Sequence, residues 1–536
     1  MQSMVRLGSL KFRRVLLAKK VCVLAAGTGS RMGEYSDLTN KVLLPLENRA
    51  ILSGILEKFE DREFVIAVGH QAQDVKDYVA MAHPNINVTF VEVENYYGEG
   101  SGPGHSLMCC EPYLHEPFLL VCGDISWTEH LDYNEPMNWV GAYAYREVEK
   151  KTYCILETKG SEILNIWDKQ DVHTLNPTYA HVGLSRIEDY DLFFKGLKRA
   201  NIRAGEHQYS DGLLALQEEH RLHYKIIPTW MDVGTVERYR RAMATQRDFF
   251  DFAKQDEIFY DVDDRVIKYF KDPQTLKDRV KRAEDFGSLF PTIDQVSEHF
   301  YSYKKVPGRT LYDCLNVKVF EKLLDFLEEK VWKSVPVSLQ ETKKLCHEFY
   351  QRKTHERVER FLQKHPEGMD PTFFNGQSIA PGEILSGIPW DLVEKGLPVR
   401  FHGDLQFENI LYDKESDQFT VIDIRQNFAG RTDVGDLYYD LGKLWMGMNC
   451  NLSLVRKKQF HFGQSAGEIE VEFPDVSLEI QSRFAAYVRS KGLNFDKVKL
   501  LSGIIMINMA PLHSTPLDYA LWYQGLRTVD RYLKEN

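Results

Sequence analysis

A chain of 536 residues, 43% hydrophobic and 27% charged, has the composition of a globular protein and the length for roughly two to four domains. Its 67 Lys and Arg against 78 Asp and Glu leave a formal charge of −11, which argues against a nucleic-acid-binding surface and gives no support for membrane binding. No apolar run approaches the roughly 18 residues of a bilayer span, so no membrane insertion is expected.

Residues 1–20 carry Arg6, Lys11, Arg13, Arg14, Lys19 and Lys20, and the first acid is Glu34. A transit peptide has this charge pattern, but an apolar strand follows at once, and we take the leader as an extension of unknown role. The eight cysteines (Cys22, Cys109, Cys110, Cys122, Cys154, Cys314, Cys346 and Cys450) form no C-x-x-C pair. Neither a zinc nor a disulfide framework is expected, and a cytoplasmic location fits.

Residues 21–26 (VCVLAA) read as a buried strand ending at Ala26. Gly27, Thr28, Gly29, Ser30 and then Arg31 follow. Glycines after a strand let the backbone approach a ligand, and successive N–H groups make a nest for an anion. Arg31 and, ten residues on, Lys41 are cations within reach of the same phosphates. The spacing is neither G-x-x-x-x-G-K-[ST] nor G-x-G-x-x-G. Strands are predicted over 63–68, 87–93 and 117–122, with helices over 74–81 and from 106. This alternation predicts an α/β domain with a doubly wound, mostly parallel, Rossmann-like sheet. Ligands of such sheets bind beyond the carboxyl ends of strands, where Gly27 and Asp124 both lie.

Asp124 closes a buried strand (VCGD), placed either to hold a divalent metal or to cap a turn. The glycine-rich run 98–104 (GEGSGPG), with Gly102, reads as a bare backbone surface that specifies no base, or as a flexible loop. In residues 230–239 (WMDVGTVERY), Asp232 would cap a helix predicted from near Thr235 to about Gln246. Lys169, Tyr179, His181 and Gly183 carry no motif and are weak candidates. Residues 238–253 read as a long amphipathic helix closing a first domain over 21–253.

The segment LAAGTGSRM with KVLLP after it resembles the signature of nucleotidyltransferases related to the sugar-phosphate nucleotidylyltransferases, L-A-A-G-x-G-[ST]-R-[ML] then x-K-x-L-L-P. W-x-D-x-G-T-x-E-x-Y is the second signal for that family. The resemblance implies that Ala26–Ser30 cradle the phosphates of an NTP, that Arg31 and Lys41 are catalytic cations, that Asp124 and Asp232 hold Mg²⁺, and that the run containing Gly102 contacts base and ribose. The implied reaction is attack of a phosphate monoester on the α-phosphorus of the NTP with loss of pyrophosphate.

In the second half, residues 257–260 and 265–270 read as a strand pair about a turn at 261–264. Lys268 stands between apolar neighbours in V-I-K. Residues 272–289 are helical, with Glu284 available to pair with Lys268. Residues 399–411 (VRFHGDLQFENIL) contain H-G-D-x-x-x-x-N-I-L, and 420–425 (TVIDIR) follow. Together these resemble the catalytic and metal segments of the aminoglycoside phosphotransferase and choline kinase family, relatives of the protein kinases. The resemblance implies a kinase-like α+β domain over 254–536, with a small lobe at about 256–303, a hinge at 301–310 and a large lobe at about 310–536. It implies Asp404 as the residue that orients or deprotonates a hydroxyl, Asn409 and Asp423 as Mg²⁺ ligands, Lys268 and Glu284 near the ATP phosphates, and Asp436 and Asp440 as structural supports. No glycine-rich loop precedes Lys268, and the small lobe is short. Residues 311–333 and 338–365 are helical by periodicity, and 370–396 read as loop. Tyr438, Tyr439, Trp445, Trp522 and Tyr523 read as core rather than as a cage for a quaternary amine.

Together the two resemblances imply a bifunctional enzyme using Mg²⁺ in both domains, with ATP and a second NTP (CTP, UTP or GTP) as substrates. A small hydroxylated metabolite is phosphorylated, then activated as an NDP-sugar or NDP-polyol for surface glycans. Alternatives are a choline or ethanolamine kinase fused to a CTP:phosphocholine cytidylyltransferase, and a pair in which one domain is dead and regulatory. Partners are expected to be small molecules, and self-association into a homo-oligomer stays open.

Overall fold

The computed structural model describes residues 18–145, 153–168, 172–203, 205–246, 256–465 and 467–536. The candidate Lys169, nearly all of the leader and the end of the helix expected over 238–253 lie outside the described residues. The chain divides into two compact units, Met1–Gln246 and Arg247–Asn536. Among the described residues no helix is long and apolar enough to cross a membrane.

The first unit is built on a nine-stranded sheet. Strands Asn87–Glu92, Glu63–Val68, Lys20–Ala25 and Phe118–Cys122 lie side by side and parallel. Helices Ala72–Ala82 and Pro103–Cys110 belong to the crossovers that keep the direction. Lys20–Ala25 and Phe118–Cys122 are buried almost throughout, as expected of apolar strands with both faces covered. Beyond them the sheet departs from the expected, mostly parallel form. Thr178–Ile187 runs antiparallel to both Phe118–Cys122 and Asn138–Tyr143. Cys154–Lys159 and Glu162–Asp168 form an antiparallel pair joined by a two-residue turn, and a turn that short cannot provide a parallel crossover. The sheet is therefore parallel in one half and mixed in the other. The loop after Lys20–Ala25 and the turn after Phe118–Cys122 leave the carboxyl ends of adjacent parallel strands, which opens a crevice there.

The second unit begins with a four-stranded antiparallel sheet, ordered Glu257–Val262, Arg265–Phe270, Phe300–Lys304, Ile293–Val296, with helix Pro273–Phe286 between its second and third strands in sequence. Asp263 supplies the positive φ (49°) of the first hairpin turn. The expected hinge at 301–310 overlaps the strand Phe300–Lys304, so irregular chain begins only after Lys304. A second hairpin, Ile410–Asp413 with Gln418–Val421, returns the chain so that Asn409 precedes one strand and Asp423 comes after the other. Helices Val317–Phe326, Leu437–Asn449, Phe495–Met509 and Leu517–Glu535 enclose a core that includes Phe320, Leu444, Phe484, Leu501 and Trp522. The segment expected as loop over 370–396 instead forms a short hairpin, Thr372–Phe374 with Gln377–Ile379, and helices Pro381–Ser386 and Trp390–Val393. Pro381 and Pro389 stand at helix starts, where a missing N–H costs nothing.

Candidate active sites

In the first unit, Asn40 ties down the loop after Lys20–Ala25. Its Nδ2 donates to the carbonyls of Ala25 (3.1 Å) and His70 (2.7 Å), and its Oδ1 accepts from the Val42 N–H. Met32, Val42 and Leu43 are buried, which leaves Arg31 exposed and Lys41 at the crevice. Ala26 is buried, whereas Gly27, Thr28, Gly29 and Ser30 are partly or fully exposed. A Cβ on Gly27 would meet nothing within 4 Å, so the loop backbone faces open space.

Lys41 Nζ donates to Asp124 Oδ2 at 2.7 Å. The two-residue strand Met231–Asp232 pairs with Ile125–Ser126, which sets Asp232 beside the turn that carries Asp124. The position a Cβ on Gly234 would take lies 3.0 Å from Asp124 Oδ2, 3.1 Å from Asp232 Oδ1 and 3.4 Å from Arg31 Nη2. Two carboxylates and a guanidinium thus surround one point. Burial and the neighbouring Asp124 raise the Asp232 carboxyl above its ordinary range. Burial also works against the Asp124 carboxylate, but Lys41 and Arg31 outweigh it and hold Asp124 below its ordinary range. Asp232 is not the helix cap. Its Oδ1 accepts from the Gly234 N–H (2.7 Å), its other oxygen is paired with Arg238, and the Arg238 N–H donates to Thr235 Oγ1. Thr235 caps helix Val236–Gln246.

The 98–104 run is not a free loop. Gly100 N–H donates to Gly205 O, Gly104 N–H to His207 O, and His207 N–H to Ser101 O, all within 2.8 Å. At Gly102 (φ 106°) and Gly104 an added Cβ would stand 2.7–2.8 Å from the His207 carbonyl oxygen, so backbone packs on backbone and only glycine fits.

Of the weak candidates, Tyr179 stacks on Tyr224 (5.4 Å) and Gly183 lies against Cys122. His181 is 5% exposed, with Nδ1 3.1 Å from the Gly141 carbonyl. Burial pushes its imidazole down to about 4. Because the unfolded chain binds that proton near 6.5, the native state gains stability above this pH and loses it on acidification toward 4. Between pH 7 and pH 5 the loss is about 2 kcal/mol. Urea denaturation at both values should show wild type losing about that much more stability than His181→Gln.

In the second unit, His402, Asp404 and Asn409 form one tight loop clamped to the hairpin. His402 Nε2 donates to the Ile422 carbonyl (2.9 Å), and its Nδ1 accepts from the Asp404 N–H (3.2 Å), so the buried ring is neutral, its pKa pushed down to about 4 by burial. Asn409 Nδ2 donates to the Asp404 carbonyl (2.8 Å), and Ile422 N–H to the Asn409 carbonyl (2.9 Å). Asp440, fully buried, accepts from the N–H groups of His402 (2.7 Å) and Gly403 (2.8 Å) and from Trp332 Nε1 (3.1 Å). Asp436 accepts from Leu397 N–H and Tyr350 Oη, both at 2.7 Å. The Asp404 carboxylate is held by Lys443 Nζ at 2.9 Å. Asp423, in a left-handed backbone conformation (φ 57°), is paired with Lys268, and Arg279 Nη1 lies 3.5 Å away.

One expected pair does not form. Glu284 is exposed on helix Pro273–Phe286, whose inner face carries Leu276, Arg279, Arg282, Ala283 and Phe286. Arg279 takes the inward position, between Asp423 and Glu257 (2.9 Å). Of the aromatics, Trp522 stacks on Phe361 (4.2 Å), Trp445 lies between Phe484 and Phe495, and Tyr438, Tyr439 and Tyr523 are buried. They are core.

Residues 21–133 match the family described as the MobA-like NTP transferase domain. The first unit carries a MobA-like NTP transferase domain. The matched stretch includes Arg31, Lys41, Gly102 and Asp124 and ends before Asp232. The bifunctional protein GlmU of Methanococcus maripaludis is 23% identical over 217 residues, 40% of this chain and 50% of that protein. The protein of the same name from Methanocaldococcus jannaschii is 26% identical over 219 residues, again 40% and 50%. The chain spans about half the length of the curated relatives it matches. Among solved structures, UTP-bound UGPase from Acinetobacter baumannii aligns with 14% identity and a TM-score of 0.37, covering 43% of this chain and 93% of that one.

In the first unit, Gly234→Ala tests the convergence directly. The added carbon crowds three charged atoms without demanding an unusual backbone angle. If these groups serve the nucleotidyl transfer proposed below, a displacement of a few tenths of an ångström among them should lower pyrophosphate release about 10-fold with the melting temperature unchanged. Three residues with a hand in these sites, Arg238, Arg279 and Lys443, have no assigned place in the motifs, and His402 stands in H-G-D without a role of its own. Arg279 was recoverable: it stands at helical spacing from Leu276, Ala283 and Phe286.

Proposed function

We propose that the chain is a bifunctional transferase. The first unit couples a sugar or polyol phosphate to an NTP, and the second makes such a monoester from ATP. The observation that carries the first half is the convergence of Asp124, Asp232 and Arg31 on one point at the carboxyl ends of two parallel strands. Among the described residues no group of three or more His, Cys, Asp or Glu side chains is arranged to hold a metal on its own. Two carboxylates suit Mg²⁺, which completes its shell with water and substrate phosphates. Asp124 and Asp232 would hold it, and bound there it would neutralise charge on the phosphates. Arg31 and Lys41 stabilise the charge that grows on the α-phosphoryl oxygens. The monoester oxygen attacks the α-phosphorus, the bond to the bridging oxygen breaks, and pyrophosphate leaves with the electron pair. The attacking group is already largely dianionic near neutral pH, so no general base is needed.

For the second unit, the supporting geometry is Asp404 fixed by the loop and Lys443, with Asn409 and Asp423 brought together by the hairpin. Asn409 and Asp423 would hold Mg²⁺ on ATP, Lys268 and Arg279 supply cations for the phosphates, and Asp404 orients the acceptor hydroxyl. The amino-alcohol alternative draws no support from the aromatics, which are packed in the core. The test is a matrix of CTP, UTP, GTP and ATP against hexose 1-phosphates, glycerol phosphate, phosphocholine and phosphoethanolamine, read as pyrophosphate release. Turnover with a sugar or polyol phosphate supports the proposal, turnover confined to the amino-alcohol phosphates replaces it, and silence across the matrix rejects the first half.

A further inference from the structure

A cleft of about 500 Å³ opens on the second unit where a π-helical turn, His347–Arg352, runs into helix Lys353–Lys364. Such turns cost backbone geometry and concentrate at functional sites. Five of the lining side chains are cations: Arg352, Lys353, Arg357, Arg360 and Arg425. Against them stand two carboxylates, Glu348 and Glu356, and both are ion-paired with Arg352, at 2.8 and 3.1 Å. Lys353, Arg357 and Arg360 follow one another at helical spacing of four and three, on one face.

These cations crowd one another. Burial, then Arg425, Lys443 and Arg357, drive the Lys353 ammonium well below its ordinary range, and its Nζ rests 4.1 Å over the Phe349 ring. Burial, Arg360 and Arg425 lower Arg357 as well. Arg425 Nε is buried with no hydrogen-bond partner among the described residues. Like charges gathered in a partly desolvated cleft are costly unless an anion joins them. The cleft also adjoins the Asp404 loop. The Arg425 N–H donates to the His402 carbonyl (3.0 Å), and the Asp404 carboxylate acts electrostatically on Lys353. Lys268 and Arg279, the cations beside Asp423, are not part of it.

We propose that this cleft holds the acceptor of the second unit, and that the acceptor is an anion: a small alcohol bearing a phosphate or carboxylate group. The inference rests on the phosphotransferase reading of that unit and narrows its substrate. Arg357, Arg360 and Arg425 grip the anionic group, and the free hydroxyl meets Asp404. The hydroxyl oxygen bonds to the γ-phosphorus of ATP, the bond from that phosphorus to the β,γ-bridging oxygen breaks, and ADP leaves with the electron pair. The hydroxyl proton passes to Asp404 and on to solvent. Choline and ethanolamine, being cations, are repelled from this cleft, and an uncharged sugar makes no use of its charge.

The experiment uses the full chain with Mg²⁺ and ATP. Acceptors are offered in matched sets: glycerol, glycerol phosphate and glycerate; a hexose, its 6-phosphate and its uronate; choline and ethanolamine. An anionic member should exceed its uncharged counterpart at least about 100-fold in kcat/KM. Arg357→Gln and Arg360→Gln should each raise the acceptor KM about 10-fold, the worth of one charge-assisted contact, with the KM for ATP unchanged. Equal or better turnover of choline, ethanolamine or an uncharged polyol overturns the inference and leaves the phosphotransferase reading standing. Should no acceptor turn over, inorganic phosphate is titrated calorimetrically into the chain loaded with a non-hydrolysable ATP analogue. Phosphate binding weakened in both variants upholds the anionic cleft, and absent or variant-insensitive binding rejects it. Failure of the ATP analogue to bind the wild type rejects the phosphotransferase reading, and the phosphate titration then judges the cleft separately.

Discussion

Asp404→Ala should abolish ATP-dependent phosphoryl transfer, by about 10³-fold or more, while pyrophosphate release by the first unit stays at the wild-type rate. Much of the second unit serves that one carboxylate. Asp440 holds the backbone on its N-terminal side through two N–H groups, His402 ties the same loop to the carbonyl before Asp423, and Asn409 closes it from the far end. Lys443, 5% exposed, sets the carboxylate itself. In the phosphotransferase reading proposed for this unit, these contacts hold a base beside the Asp423 site, and Asp404→Ala leaves the frame without it. Asp404→Asn keeps the shape and loses the charge, so it should be nearly as inactive; a purely structural Asp404 would instead be rescued by Asn. Each variant should be assayed for both half-reactions in one preparation, since a retained first activity excludes global misfolding. Residual ATP turnover within about 3-fold of wild type would place the essential base elsewhere.

What could be read from sequence divides along the range of the physics involved. Lys20–Ala25 and Phe118–Cys122 were legible because a strand covered on both faces is apolar along its whole length. The reversal at Thr178–Ile187 was not, since strand direction is set by connection length and by a partner chosen in three dimensions. The motifs point to Asp124, Asp232, Asp404, Asn409 and Asp423; Asp124 and Asp232 lie about one point, and Asn409 ties the Asp404 loop to the hairpin that Asp423 follows. Their electrostatic partners were less visible. Lys443 stands on a helix well downstream of Asp404, and no spacing rule links the two. The charge of Glu284 suits a partner for Lys268, whereas helical register turns it outward and brings Arg279 in. The basic cleft had the opposite disguise. A run of Arg, Lys and Glu at helical spacing reads as a solvated face, and the π-helical turn that gathers its cations around a cavity leaves no mark in composition.

Asp232→Ala and Asp124→Ala should each lower pyrophosphate release by about 10³-fold or more, leaving ATP-dependent transfer intact. Their environments differ, and so should their milder variants. Burial works against the Asp124 carboxylate, but Lys41 and Arg31 outweigh it, so Asp124 keeps its charge to lower pH than an ordinary carboxylate. Asp232 is raised by burial and by Asp124 itself, with the Gly234 N–H, Arg238 and Arg31 pulling the other way. As pH falls, Asp232 is therefore the first of the pair to take a proton, and it shares the acid limb of kcat/KM with protonation of the acceptor phosphate, so the difference between wild type and a variant reports Asp232. Arg238→Gln removes one of the groups that favour the carboxylate. The acid limb should then move to higher pH. A limb unmoved in Arg238→Gln would mean that another group sets it. An Asp232→Asn enzyme that kept the wild-type Mg²⁺ requirement would remove Asp232 from the metal site and leave Asp124 as its sole carboxylate.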